Sequence, residues 1–203
     1  MKKRELIVTL FKLSYVFLLF LTLVGGYLFY QETSLGITIQ EFGKDAGELA
    51  ILVYGLTIIP GIFRRFGWRH KLVSLLMIFR RYIGLFMFFL IVFHYTMQRG
   101  VAVVKNHLGF FQLSTYEVMG MIAFLSLLLL AVTSNDISTK KLGSWWARIH
   151  ALTYGILWFI FLHVALQKAF TWSLFIGGMG VVQVSSFLYK WNKNRTITAT
   201  VKP

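Results

Sequence analysis

Three histidines stand within strongly apolar stretches. His94 closes RRYIGLFMFFLIVFH, and His150 and His163 sit towards opposite ends of WWARIHALTYGILWFIFLHVALQK, residues Trp145 to Lys168. Ionisable side chains are costly inside a bilayer and rarely stand there without a task. Neutral imidazole is the commonest metal ligand, and histidine is a principal axial ligand of heme iron. An arginine pair, Arg80 and Arg81, opens the stretch that carries His94. Arginine stays protonated, so it is a poor iron ligand but a good partner for a heme propionate or another anion. These residue types point to heme bound within a membrane and to electron transfer.

Composition agrees with that setting. The chain has 203 residues, 57% of them hydrophobic, and a mean hydropathy of +0.69, which excludes an ordinary soluble domain. It contains no cysteine. Disulfides, a Cys-held iron–sulfur cluster and c-type heme attachment are therefore excluded, and any heme is held non-covalently. The net charge of +14 does not indicate nucleic acid, because the charges fall between apolar segments and leave no basic soluble face. The 20 phenylalanines suit lipid contact more than cofactor lining.

The elements that must position these residues follow from hydropathy. A first span covers Leu6–Tyr30, after the basic start Met1–Glu5. Its length and the apolar residues after Gly25 and Gly26 predict a retained helix and not a cleaved signal. Gln31–Glu48 is polar and acidic. A second span runs over about Leu49–Phe63, with Pro60 expected to kink or end it. Arg64–Lys71 is a basic loop, and Leu72–Phe79 reads as a short interfacial piece. The third span is Tyr82–Met97, followed by a mixed connector, Gln98–Tyr116. The fourth is Glu117–Thr133, ending in the turn signal TSND. Trp145 and Trp146 are interfacial anchors before the fifth span, Trp145–Lys168. The sixth is Thr171–Tyr189, where Gly177, Gly178 and Gly180 permit close helix contact. Lys190–Pro203 is a short polar tail. The expected fold is all-α, an integral membrane bundle of six transmembrane helices forming one domain over residues 1–203.

Charge sets the expected orientation. With the amino terminus inside, the outer segments hold only Lys44, Arg99, Lys105 and Lys168 of the 21 Lys and Arg. That asymmetry predicts both termini in the cytoplasm.

Depth then turns spacing into chemistry. His94 lies twelve residues past Tyr82, about 18 Å deeper, and His163 lies thirteen past His150, about 20 Å deeper. His94 and His163 thus reach similar depth on two parallel helices, as two axial ligands of one heme would. At the depth of His150 the third span offers Arg80, fourteen residues before His94 and on the same face. The inner site is a five-coordinate heme with Arg80 nearby, an arginine-ligated heme, or no heme. In a straight helix, His150 and His163 would differ by about 140° in azimuth. Each residue also has a plainer reading. His94 and His163 could bond carbonyls as packing residues, His150 could be interfacial polarity, and Arg80 and Arg81 could be positive-inside anchors. His70 and His107 fall in connectors, where no special role is expected.

Three blocks resemble the ferric-reductase-like transmembrane family: Arg80–His94 its heme-bearing third helix, Met119–Asp136 its fourth, and Lys141–His163 its fifth, with the pattern LG, W, H, Y and H. Gly43–Arg65 is a weaker match to its second helix. The likeness covers roughly residues 43–168 and is nearest to short members such as the heme-binding membrane subunit of the periplasmic methionine sulfoxide reductase system. The resemblance implies heme b at His94 and His163, and a role for His150 and for Arg80. It implies one or two hemes, with FMN or quinone as a further cofactor. Electrons would come from quinol or a cytoplasmic flavin reductase and pass to an extracytoplasmic molybdopterin reductase or to ferric iron. The larger relatives carry two histidines on the third helix where this chain has one. No G-x-G-x-x-G occurs, so flavin and nicotinamide chemistry would belong to a separate protein. On this reading the chain is an oxidoreductase electron-transfer subunit, with substrate reduced in a partner. The competing class is a non-redox membrane protein, a transporter or scaffold. Against an ion-coupled transporter, no Asp or Glu stands in mid-span.

Overall fold

The structure is a computed structural model and describes residues 3–100, 103–104, 109 and 112–200. Its elements are α1 (Lys3–Tyr30), α2 (Ser34–Arg65), α3 (Lys71–Tyr95) with a π-helical turn at Thr96–Gly100, α4 (Thr115–Val132), short α5 (Asp136–Leu142) and α6 (Ser144–Ala151), α7 (Thr153–Leu166) and α8 (Phe170–Thr200). Among the described residues, six helical stretches are long and apolar enough to cross a membrane: α1, α2, α3 with its π turn, α4, α6 with α7, and α8. An even number of crossings puts both chain ends at one end of the bundle, here called the terminal end; the opposite end is the far end. The expected connector residues Lys105 and His107 lie outside the described residues.

Apolar residues cover both the core and the outside, as a bilayer requires. α1 exposes Leu13, Phe17, Phe20 and Leu23, while α2 buries Tyr54, Ile58 and Ile62. The most apolar window of α2 is 44% buried and that of α1 only 11%, which makes α2 the central helix and α1 a peripheral one. A helix bonds most of its backbone polar groups within itself, which is why helices can lie in hydrocarbon.

The bundle divides into two parts. α1, α2 and α3 pack together, and α4 packs along α7. α8 joins the parts by lying against both α2 and α7. α3 meets α4 over a much shorter stretch than it meets α2. Of the three glycines singled out on α8, Gly177 and Gly180 face α7. A Cβ on Gly177 would stand 3.0 Å from Phe161, and one on Gly180 would stand 2.9 Å from Trp158. Gly178 faces away from any neighbour.

Four features differ from the hydropathy reading. The polar stretch Gln31–Glu48 is not a connector for most of its length, since α2 begins at Ser34. Gly43, Ala46 and Ala50 turn one buried small-residue face inward while Glu41, Lys44 and Asp45 face out. The inward stripe is made of glycine and alanine, so hydropathy does not register it. The Thr33 hydroxyl caps this helix by accepting from Gly36 N at 3.0 Å. Leu72–Phe79 is likewise part of a membrane helix, the first two turns of α3, capped by the His70 imidazole accepting from Leu72 N. Pro60 neither ends nor interrupts α2, which continues to Arg65. The fifth span is broken at Leu152, where Leu152 N donates to Ile149 O and Gly155 N to Leu152 O in a tightened turn.

Candidate functional site

α2, α3, α4 and α7 enclose a cavity of about 360 Å³ at the far end of the bundle. This lies within the size range of ligand pockets. Its deeper wall is apolar, with Ala50, Ile51, Ala123, Leu127 and Val164, and Tyr54 at its base. Its mouth is polar, with Lys44, Glu48, Gln98, Arg99, Glu117 and Gln167. His94 and His163 both line it.

Each imidazole is seated by the same device. His94 Nδ1 lies 2.8 Å from Gly43 O, and a Cβ added to Gly47 would come within 2.6 Å of that nitrogen. His163 Nδ1 lies 2.8 Å from Tyr116 O, and a Cβ added to Gly120 would come within 2.7 Å of it. In both cases a carbonyl anchors the ring, and a glycine four residues later gives the ring its space. The seat of His94 belongs to α2 and that of His163 to α4. A carbonyl only accepts, so Nδ1 carries the proton and donates, and Nε2 keeps its lone pair. On His163 the Gln167 amide nitrogen stands 2.9 Å from Nε2, a donor facing that lone pair.

These residues fit a heme better than a bare ion. Among the described residues, no three His, Asp or Glu side chains group to hold a metal. Two imidazoles suffice for an iron that brings four ligands of its own. An Nδ1–H bonded to a backbone carbonyl is the usual outer partner that orients a ligating histidine.

Residues 46–174 match the family described as ferric reductase like transmembrane component, more than half of the chain. The chain belongs to this family. It is also similar to the protein-methionine-sulfoxide reductase heme-binding subunit MsrQ of Agrobacterium fabrum, with 33% identity over 97 residues. That match covers 46% of this chain and 45% of the relative, so the aligned part spans about half the length of the curated protein. No solved structure matches the chain.

Of the four residues singled out from the sequence, the structure brings His94 and His163 together and places Arg80 and His150 elsewhere. His150 lies at the terminal end, in α6, with Nε2 3.2 Å from Thr133 Oγ1 and its ring stacked on Trp146 at 4.2 Å. Arg80 is half-buried near both His150 and the Tyr154 hydroxyl. The break at Leu152 puts His150 and His163 on separate helices, so the azimuth of a single straight helix does not apply to them. Of the paired Trp anchors, Trp145 is exposed, whereas Trp146 donates from Nε1 to Thr133 O at 3.0 Å. Arg81 is a tie between elements: it donates to Ser134 O at 2.6 Å and pairs with Asp136 at 2.6 Å.

Several residues of the region escape a reading based on histidines. Tyr54 is 1% exposed, forms the cavity base, and donates its hydroxyl proton to Thr153 O at the joint between α6 and α7. Arg65, counted from the sequence only as a basic loop residue, bonds Ser186 Oγ at 2.8 Å and lies over the rings of Tyr154 and Phe187. Gly47 had a usable signal, since Gly43 and Gly47 stand in small-x-x-x-small spacing. Gly120 had none, because its partner ring comes from a helix more than forty residues away.

Proposed function

We propose that this protein is a b-type cytochrome of the cell membrane that carries electrons across the bilayer, with heme b held in the far-end cavity. The observation that carries the reading is the matched pair of glycine seats, which tie both imidazole Nδ1 atoms to carbonyls beside one cavity; ligation by His163 would displace the Gln167 amide from its Nε2. Heme, when bound, supplies a one-electron iron couple. His94 and His163 would hold its iron. The Gly43 and Tyr116 carbonyls hold both rings in the ligating tautomer. The apolar wall from Ala50 to Val164 keeps water away.

Orientation follows from the basic segments, which put both termini in the cytoplasm and the cavity towards the outer surface. The whole chain then acts as one membrane domain. Its donor is a quinol or a cytoplasmic flavin reductase, drawn to the basic inner segments. Its acceptor lies outside, either a methionine sulfoxide reductase partner, as the relative's name suggests, or ferric iron. At the terminal end, Arg80 and His150 are the residues for a second heme or for entry of the donor's electrons. This makes the chain an oxidoreductase subunit with substrate reduced elsewhere.

The test is an absorption spectrum of protein purified after expression with ample heme, together with the heme-to-protein ratio. A Soret band is expected. His94→Ala and His163→Ala should each lose most of it, whereas His70→Ala and His107→Ala should keep it. Absence of the band from the wild-type chain would return the protein to the transporter or scaffold class. A ratio of two would assign the second heme to His150 and Arg80.

A further inference from the structure

Each candidate ligand is seated within its own part of the bundle: His94 of α3 on α2, and His163 of α7 on α4. Neither seat sets the distance between the two rings. That distance belongs to the seam between the parts, where α3 and α4 touch only briefly.

Among the described residues, two ion pairs cross this seam from α3 and its π turn. At the far end, Arg99 Nη1 stands 3.1 Å from Glu117 Oε1, with side chains only 13% and 21% exposed. At the terminal end, Arg81 pairs with Asp136 at 2.6 Å, with side chains 39% and 85% exposed. The far-end pair is built into the structure around it. Arg99 also donates to Gln112 O at 2.6 Å. Glu117 accepts from Ser114 N at 2.8 Å and from Ser114 Oγ at 2.6 Å, closing the capping box that starts α4. Both residues line the cavity.

Their positions in the chain link them to the ligands. Glu117 directly follows Tyr116, whose carbonyl anchors His163. Arg99 lies five residues past His94, within the π turn Thr96–Gly100. On a regular α-helix those two residues would point well apart. A π turn advances less around the axis per residue, which brings Arg99 back towards the side of His94 and within reach of α4.

The geometry points to Arg99 and Glu117 as positioning residues that set the separation of His94 and His163, so that both imidazoles reach one iron. This rests on the heme reading above. Removing one partner of a partly buried pair is costly, whereas an exposed pair such as Arg81–Asp136 contributes little.

The test uses the full chain in lipid nanodiscs at saturating heme, with spin state read by absorption and electron paramagnetic resonance. The wild-type chain should be low-spin, as two imidazole ligands require. Arg99→Gln and Glu117→Gln should convert at least half of the bound heme to a high-spin form. Arg99→Lys, which keeps the charge, should remain mostly low-spin, and Arg81→Gln should match the wild type. If Arg99→Gln does not fold, Glu117→Gln, which keeps size and shape, carries the test. Low-spin heme in both neutral variants would overturn the proposal. So would an equal loss in Arg99→Lys and Arg99→Gln, or in Arg81→Gln. A wild-type chain without low-spin heme would instead overturn the heme reading.

Discussion

Two glycines give two histidines the room to sit as they do. At Gly47 and Gly120 a single methyl group would intrude to 2.6 and 2.7 Å from an imidazole nitrogen. Alanine favours the helix over glycine by about 1 kcal/mol, so neither substitution weakens its own helix. The cost falls on the seated ring, which must leave its carbonyl. Overpacking typically costs about 1–3 kcal/mol. Gly47→Ala and Gly120→Ala should therefore each weaken heme binding by roughly tenfold or more, since about 1.4 kcal/mol is a factor of ten. A heme titration followed at the Soret band would measure this, and wild-type affinity in Gly120→Ala would count against the seat.

At the scale of elements, the broken fifth span is held at its joint. Tyr54 of α2 donates its hydroxyl proton to the Thr153 carbonyl at the first residue of α7. Tyr54→Phe removes the cross-helix bond while the carbonyl keeps its bond within α7, at a cost of about 0.5–1.5 kcal/mol. The thermal unfolding midpoint of the purified chain should fall, while the ring keeps its place in the cavity base. An unchanged midpoint would mean that the joint does not depend on the tie. α2 also shows why some element boundaries are not visible in hydropathy. Gly43, Ala46 and Ala50 are poor markers of burial one by one, yet together they make the stripe against which α3 packs closely enough for His94 to reach Gly43 O.

At the scale of the whole molecule, the proposed orientation of the bundle is directly testable, because the chain has no cysteine. Single replacements Lys44→Cys, at the far-end mouth, and Lys193→Cys, near the carboxyl end of α8, both introduce exposed thiols. A membrane-impermeant maleimide applied to intact cells should label Lys44→Cys and spare Lys193→Cys. The reverse pattern would invert the bundle and place the cavity on the cytoplasmic side, despite the skew of Lys and Arg.

The sequence alone determined the class of this protein: helical, membrane-spanning, six crossings, with imidazoles at matched depth on the third and fifth. These are properties of one helix at a time, since crossing length and depth follow from a run of apolar residues and a fixed rise per residue. Tertiary structure decided what the histidines rest on, that His150 and Arg80 stand apart from the cavity, and that Arg99 meets Glu117. Each of those is a contact between a side chain and the backbone or charge of another helix. No local pattern encodes such a contact until packing brings the two helices side by side.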